Sequence, residues 1–309
     1  MLQNKLNFSQ RHPFLFGFSL LAAVMVLIGG AMVAVRYFWH DNSKKLFHSQ
    51  SFGLVNVVGM ISDSRPITEW MAELRDDSRV RGVVLRVDSP GGGVSPSQEI
   101  YRAVKKLAQH KPVVVSMGSV AASGGYYVSC PATAIVANPG TVTGSIGVRM
   151  ELANFMGLMD KIGVLHSSVT SGKFKDAGSP FRELSSEERE YFKTIVTDLF
   201  DQFVSDVAES RKLDLQKVKR IADGRILTGR QALAEGLIDG LGGFEEAFET
   251  LKKLCKVTKD LPILEGPKEK DTLLRQLLLG TSNVLGVLGS LGDLPANKDI
   301  GPQYQLQYR

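Results

Sequence analysis

Three apolar runs lack the in–out alternation of a half-exposed sheet. They are "LVNVVGMI" (54–61), "GVVLRVDSPGGG" (82–93) and "PVVVSMG" (112–118). A strand that is apolar on both sides must be covered on both sides, and that is the signature of parallel strands sandwiched between helices. The segments between them agree, since "PITEWMAELRDD" (66–77) and "SPSQEIYRAVKKLAQH" (95–110) carry helical periodicity. The fold class is therefore α/β, with parallel strands under covering helices. The second and third strands each run into small residues. Open α/β sheets place their functional sites at that carboxyl edge.

Further along, short strands are expected near 133–137 and 164–169. A long helix is expected over 185–211, opened by the capping-box pattern Ser-Ser-Glu-Glu. Another follows over 213–222. "GRILTGRQALAEGLIDGLGG" (224–243) reads as turn, helix, turn, and a last helix covers 244–256.

Before the sheet, Phe14 to Val35 runs 22 residues without a charge, and Tyr37, Phe38 and Trp39 follow. That length matches a hydrocarbon core of ~30 Å, and aromatic residues favour the membrane–water boundary. The run exceeds the ~7–15 residues of a signal-peptide core, and no convincing cleavage site follows, so an uncleaved anchor is expected. Lys5 and Arg11 before it nearly balance Arg36, Lys44 and Lys45 after it, and charge alone does not orient it. The expected organisation is a polar start (1–13), a transmembrane anchor (14–35), a linker (36–50), a folded domain (51–260) and a leucine-rich, glycine-interrupted tail (261–309). The tail is expected to dock on an apolar surface, either the membrane interface or a neighbouring subunit's groove.

The net charge of +5 is spread along the chain without a basic block, which argues against nucleic-acid binding. Cys130 and Cys255 have no metal-type spacing and suggest no disulfide framework. No HExxH or CxxC motif points to a metal, and no phosphate-loop pattern points to ATP. No cofactor is expected.

The chemistry centres on "VAASGGYY" (120–127). Ser123 sits among small residues after an apolar strand. One reading is a helix-capping turn. The other is a nucleophile presented at a sharp strand–helix turn, with the next N–H free for an oxyanion. A serine nucleophile needs a base. None of the five histidines (His12, His40, His48, His110, His166) has a triad context. Lys173 and Lys175 lie in "TSGKFKDAGSPFRE", a loop of small residues rather than a helical surface. The glycines of "DSPGGG" (88–93) could expose a second N–H.

Taken in order, "DSPGGG", "GSVAASGGYYVS", "TVTGSIGV", "SGKFKDAGSPFRE" and "RILTGRQALAEGLIDGLGG" resemble the signal peptide peptidase A family, within the larger group of ClpP/crotonase-type fold. The resemblance covers residues 52 to 256. It implies a Ser–Lys dyad of Ser123 and Lys175, with Ser145 orienting the lysine and an oxyanion hole of the Gly92 and Gly124 N–H groups. It further implies peptide substrates such as cleaved signal peptides, a ring-like homo-oligomer, and a single-pass protein of the cell membrane whose catalytic domain lies outside the cytoplasm. Competing readings are a protease devoted to one membrane-protein partner, a non-catalytic scaffold, and an acyl-CoA enzyme of the same fold. The presence of Ser123, Ser145 and Lys175 together argues against the scaffold, and the dyad and the anchor do not suit the last.

Overall fold

A computed structural model describes residues 14, 16, 18, 22–31 and 50–266. The sheet has eight strands: β1 (Ser51–Val58), β2 (Val80–Ser89), β3 (Val113–Ala122), β4 (Ala134–Ala137), β5 (Val142–Gly144), β6 (Ile226–Thr228), β7 (Gly240–Leu241) and β8 (Ile263–Gly266). Its main path runs β6-β5-β3-β2-β1-β8, and β4 pairs with β3 and β7 off that path. Every pairing is parallel except β5 with β6.

The missing alternation has a direct explanation. Val83, Leu85 and Val87 of β2 enter the larger core, while Val84 between them enters a second core on the opposite face. In β3, Val113, Val115 and Met117 face the first core, and Val114 faces the second. Successive side chains point to opposite faces, and both faces are covered. The first core is roofed by α1 (Arg65–Asp76), α2 (Val94–Ala108) and α3 (Gly124–Ser129), along with parts of later helices. The second lies under α8 (Phe244–Cys255), through Ala247, Leu251 and Cys255. Between these come α4 (Met156–Ile162), α5 (Ser186–Arg211), α6 (Leu215–Ile221) and α7 (Gly229–Glu235).

The expected capping box is present. The Ser185 side chain accepts from the Glu188 N–H, and the Glu188 carboxylate accepts from the Ser185 N–H. Both cysteines are free and buried.

The structure departs from the sequence reading at several points, β5 and α4 being elements it did not foresee. No strand forms over 164–169. Gly163 ends α4 at φ 70°, and the following residues run exposed and irregular, with Leu165 at 96% and Val169 at 102% exposure. A strand needs a partner strand for its backbone groups, and among the described residues this run pairs with none, its Val164 N–H turning back to the Met159 carbonyl at 3.1 Å. His166, expected on that strand, instead lies against the Phe181 ring at 4.6 Å between centroids. The segment read as turn, helix, turn also contributes β6 and β7 to the sheet. Finally, β8 lies beyond residue 260, and its residues 263–266 add a parallel edge to β1.

Residues 14, 16, 18 and 22–31 are helical. Among the described residues no helix is long and apolar enough to cross a membrane. The rest of the 14–35 run, the 1–13 start, the linker up to 49 and the tail from 267 lie outside the described residues.

Candidate active site

The chain reaches the site through the end of β3. This strand pairs with β4 over Val114–Met117, then with β5 over Val120–Ala122. The change of partner coincides with a two-residue register shift against β2, between Val87↔Met117 and Ser89↔Ala121. Asp88 spans the irregularity: its Oδ1 accepts the Val120 N–H at 3.0 Å.

The β3–β5 register then decides which polar groups meet. Ala122 pairs with Gly144, so Ser123 and Ser145 leave the sheet side by side. The Ser123 N–H donates to the Gly144 carbonyl at 2.9 Å, and the Ser145 N–H donates to the Arg225 carbonyl at 2.8 Å. Both serines have positive φ, 53° and 51°. Non-glycine residues avoid that region, at a cost of about 1–3 kcal/mol, and where it occurs it concentrates at functional sites. The capping reading of Ser123 fails on one point: its side chain makes no cap hydrogen bond to α3.

The glycine turn after β2 abuts this corner. A Cβ built on Gly91 would lie 2.7 Å from the Gly124 nitrogen and 3.0 Å from Ser123 Cβ. One built on Gly92 would strike the Ile61 backbone at 2.2 Å. Only glycine permits this approach. Ser89 Oγ braces the turn by donating to the Gly59 carbonyl at 2.6 Å and accepting the Gly91 N–H at 3.1 Å. Ser97 Oγ donates to the Gly93 carbonyl at 2.8 Å. The Gly93 N–H donates to the Ile61 carbonyl. Among the described residues, the Gly92 and Gly124 N–H groups donate to no protein acceptor.

Gly92, Ser123, Gly124 and Ser145 all line one cavity of about 630 Å³. Its apolar wall comes from Met60, Val94, Tyr127, Val148, Leu199 and Phe203. Burial pushes the Tyr127 hydroxyl above its ordinary pKa, and the neighbouring Asp206 carboxylate adds to the shift. Neither described histidine, His110 or His166, lines the cavity. Among the described residues no group of three or more His, Cys, Asp or Glu could hold a metal ion.

Lys175 is placed elsewhere. It is exposed, sits in the turn around residues 171–178, and is not among the cavity's lining residues. Lys173, the other lysine of the loop, pairs with Glu187 at 2.5 Å. The structure therefore brings together Ser123, Ser145, Gly92 and Gly124 of the residues singled out by sequence, and leaves Lys175 outside. Three supporting residues escaped the sequence reading: Asp88, Ser89 and Ser97. Two of them belong to "DSPGGG", but only the register shift and the hydrogen bonds reveal their parts.

The sequence profile of Peptidase family S49 matches residues 105–258, a span that includes Ser123, Ser145 and Lys175. A protein from Synechocystis sp. named as a protease is 41% identical over 239 residues, covering 77% of this chain and 86% of that one. The chain belongs to peptidase family S49. A protein from Enterococcus faecium named as a signal peptide peptidase, SppA, is 40% identical over 196 residues, 63% of this chain and 57% of its own length. A chloroplastic serine protease SPPA of Arabidopsis thaliana is 34% identical over 239 residues, 76% of this chain but 35% of that longer protein. The S49 assignment makes the cavity at Ser123 a candidate peptidase site.

Proposed function

We propose that the chain is a membrane-anchored, ATP-independent serine endopeptidase that cuts apolar peptides, cleaved signal peptides among them. The observation that carries this reading is the corner at Ser123: a hydroxyl on strained backbone lining a cavity with an apolar wall, beside two N–H groups that meet no acceptor among the described residues. Ser123 Oγ attacks the scissile carbonyl, and the oxygen that becomes negative is received by the Gly92 and Gly124 N–H groups. One such donor contributes ~3–4 kcal/mol to the transition state. Lys175 takes the hydroxyl proton and passes it to the leaving amine. Water then attacks the acyl-enzyme by the same route. Ser145, beside Ser123, orients the lysine amine.

A lysine acts as base in its neutral form, which removal from water favours. Lys175 is exposed in the single chain, on a segment whose Leu152, Phe155, Leu158, Ile162, Leu165 and Val169 are exposed as well. A second copy seated on that segment would cover both the apolar side chains and the amine, and would bring the lysine of one copy to the serine of the next. This is the physical basis for proposing the ring-like homo-oligomer. The uncharged 14–35 run supplies the single-pass anchor, and a site open to apolar peptides beside the membrane suits a catalytic domain on its extracytoplasmic side.

The test uses the full chain in detergent with synthetic signal peptides. Ser123→Ala and Lys175→Ala each abolish cleavage, and Lys173→Ala has a mild effect. Co-expression of the Ser123→Ala and Lys175→Ala chains restores part of the activity, because mixed neighbours contain one intact pair. Full activity in Lys175→Ala would remove it as the base. Inactive mixed assemblies would show that serine and lysine act within one copy.

A further inference from the structure

Lys175 makes no ion pair or side-chain hydrogen bond among the described residues, yet the residue after it, Asp176, is bound by Arg182 through both its carboxylate and its backbone carbonyl. Arg182 has five N–H donors in a planar fork, and all five are engaged. Nε donates to Asp176 Oδ2 at 3.1 Å. Nη1 donates to the Glu183 carbonyl at 3.2 Å and to Glu188 Oε2 at 2.9 Å. Nη2 donates to the Asp176 carbonyl at 2.7 Å and to Glu188 Oε1 at 2.5 Å. Glu188 is itself fixed, because it is buried and forms the capping box that opens α5. The Arg182 pair pulls its carboxyl down to about 2. The loop before this point is exposed from 171 to 175.

We propose that Arg182 is the positioning residue for Lys175, tying the lysine-bearing turn to the first turn of α5 through the backbone carbonyl and the carboxylate of Asp176. The inference rests on Lys175 being the general base. Two features separate a positioning clamp from a surface ion pair. The grip includes the main chain at Asp176, one peptide from Lys175, so it constrains backbone direction as well as charge. It is also anchored in a buried carboxylate at a helix start, a rigid element, whereas exposed pairs between flexible side chains hold little. A base must approach the nucleophile within hydrogen-bond reach, and a misplacement of about 1 Å costs ~10²-fold in rate. The fork geometry is what matters, and a lysine ammonium does not reproduce it.

The experiment compares Arg182→Lys, Arg182→Gln and Lys175→Ala in the full chain. The measurements are kcat and KM on a synthetic signal peptide, the thermal midpoint, and the particle mass by light scattering. Both Arg182 variants are expected to lose ~10²-fold in kcat with KM changed less than about twofold and assembly mass close to wild type. The thermal midpoint falls because Arg182 also holds the buried Glu188 carboxylate, so rates are measured well below the variants' own midpoints. Retention of charge in Arg182→Lys should not rescue the rate. The proposal is overturned if Arg182→Lys turns over at the wild-type rate, or if its loss of rate accompanies a broken assembly or a chain already unfolded at the assay temperature, which would mark a purely structural residue. Lys175→Ala separates the two levels. An active Lys175→Ala removes the underlying base assignment, whereas an inactive Lys175→Ala beside a fully active Arg182→Lys removes only the clamp.

Discussion

Replacing Gly124 by Ala tests the oxyanion assignment with the smallest possible change. A Cβ at this position would lie 2.6 Å from Ser97 Oγ, 3.2 Å from Gly91 Cα and 3.3 Å from the Gly92 nitrogen. Ordinary contact begins near 3.4 Å, so Ser97 Oγ and the added methyl must separate by about 0.8 Å. Ser97 Oγ cannot turn aside without releasing the Gly93 carbonyl, which it holds at 2.8 Å. The strain therefore passes into Gly91–Gly93, the other half of the proposed oxyanion hole. Displacing one donor by this amount should cost ~10²–10³-fold in kcat. Stability should change far less. Alanine favours the start of α3 by up to ~1 kcal/mol over glycine, against ~1–3 kcal/mol for overpacking. The assay is peptide hydrolysis alongside a thermal melt. Adding Ser97→Ala removes the atom in closest conflict, and should recover about a tenfold part of the loss even though the other two contacts stay tight. A Gly124→Ala enzyme with wild-type kcat would refute the assignment of the Gly124 N–H to the oxyanion.

Other outcomes follow from the same geometry. Ser145→Ala should lower kcat by less than either dyad substitution, and an unchanged rate would remove its orienting part. Glu188 is held at about 2 against an ordinary 4.5, mainly by Arg182. A carboxyl depressed on folding stabilises the protein above its unfolded pKa and loses that contribution as the pH falls. The loss should therefore fall between about pH 4.5 and 2, and Glu188→Gln should flatten urea-melt midpoints across that window relative to wild type. An equally steep decline in the variant would show that other carboxylates set the acid limb. Leu251→Ala should cost ~2–5 kcal/mol in chemical denaturation, because Leu251 is fully buried between α8 and the sheet. A loss under ~1 kcal/mol would mean that the second core repacks freely.

The α/β class and the main strands and helices were legible because their cause is local. A strand buried on both faces must be apolar at every position, and Val83, Val84 and Leu85 record that requirement directly in the chain. Ser123, Gly124 and the glycine turn at Gly92 were legible for a related reason, since close backbone approach excludes side chains and leaves a run of small residues. What the chain does not record is pairing. The expected strand over 164–169 had suitable residues and found no partner, while the three residues of β6 acquired strand form only because β5 lies beside them. The nearness of Ser145 to Ser123 depends on the Ala122↔Gly144 register, a relation across more than twenty positions that neither segment specifies alone. The parts of Asp88, Ser89 and Ser97 likewise appear only once β2, β3 and α2 converge. Residue type and spacing determined which chemistry was available. The tertiary structure decided which groups meet and which, like Lys175, stand at the surface, because hydrogen-bond register and face-to-face packing are set between segments and not within them.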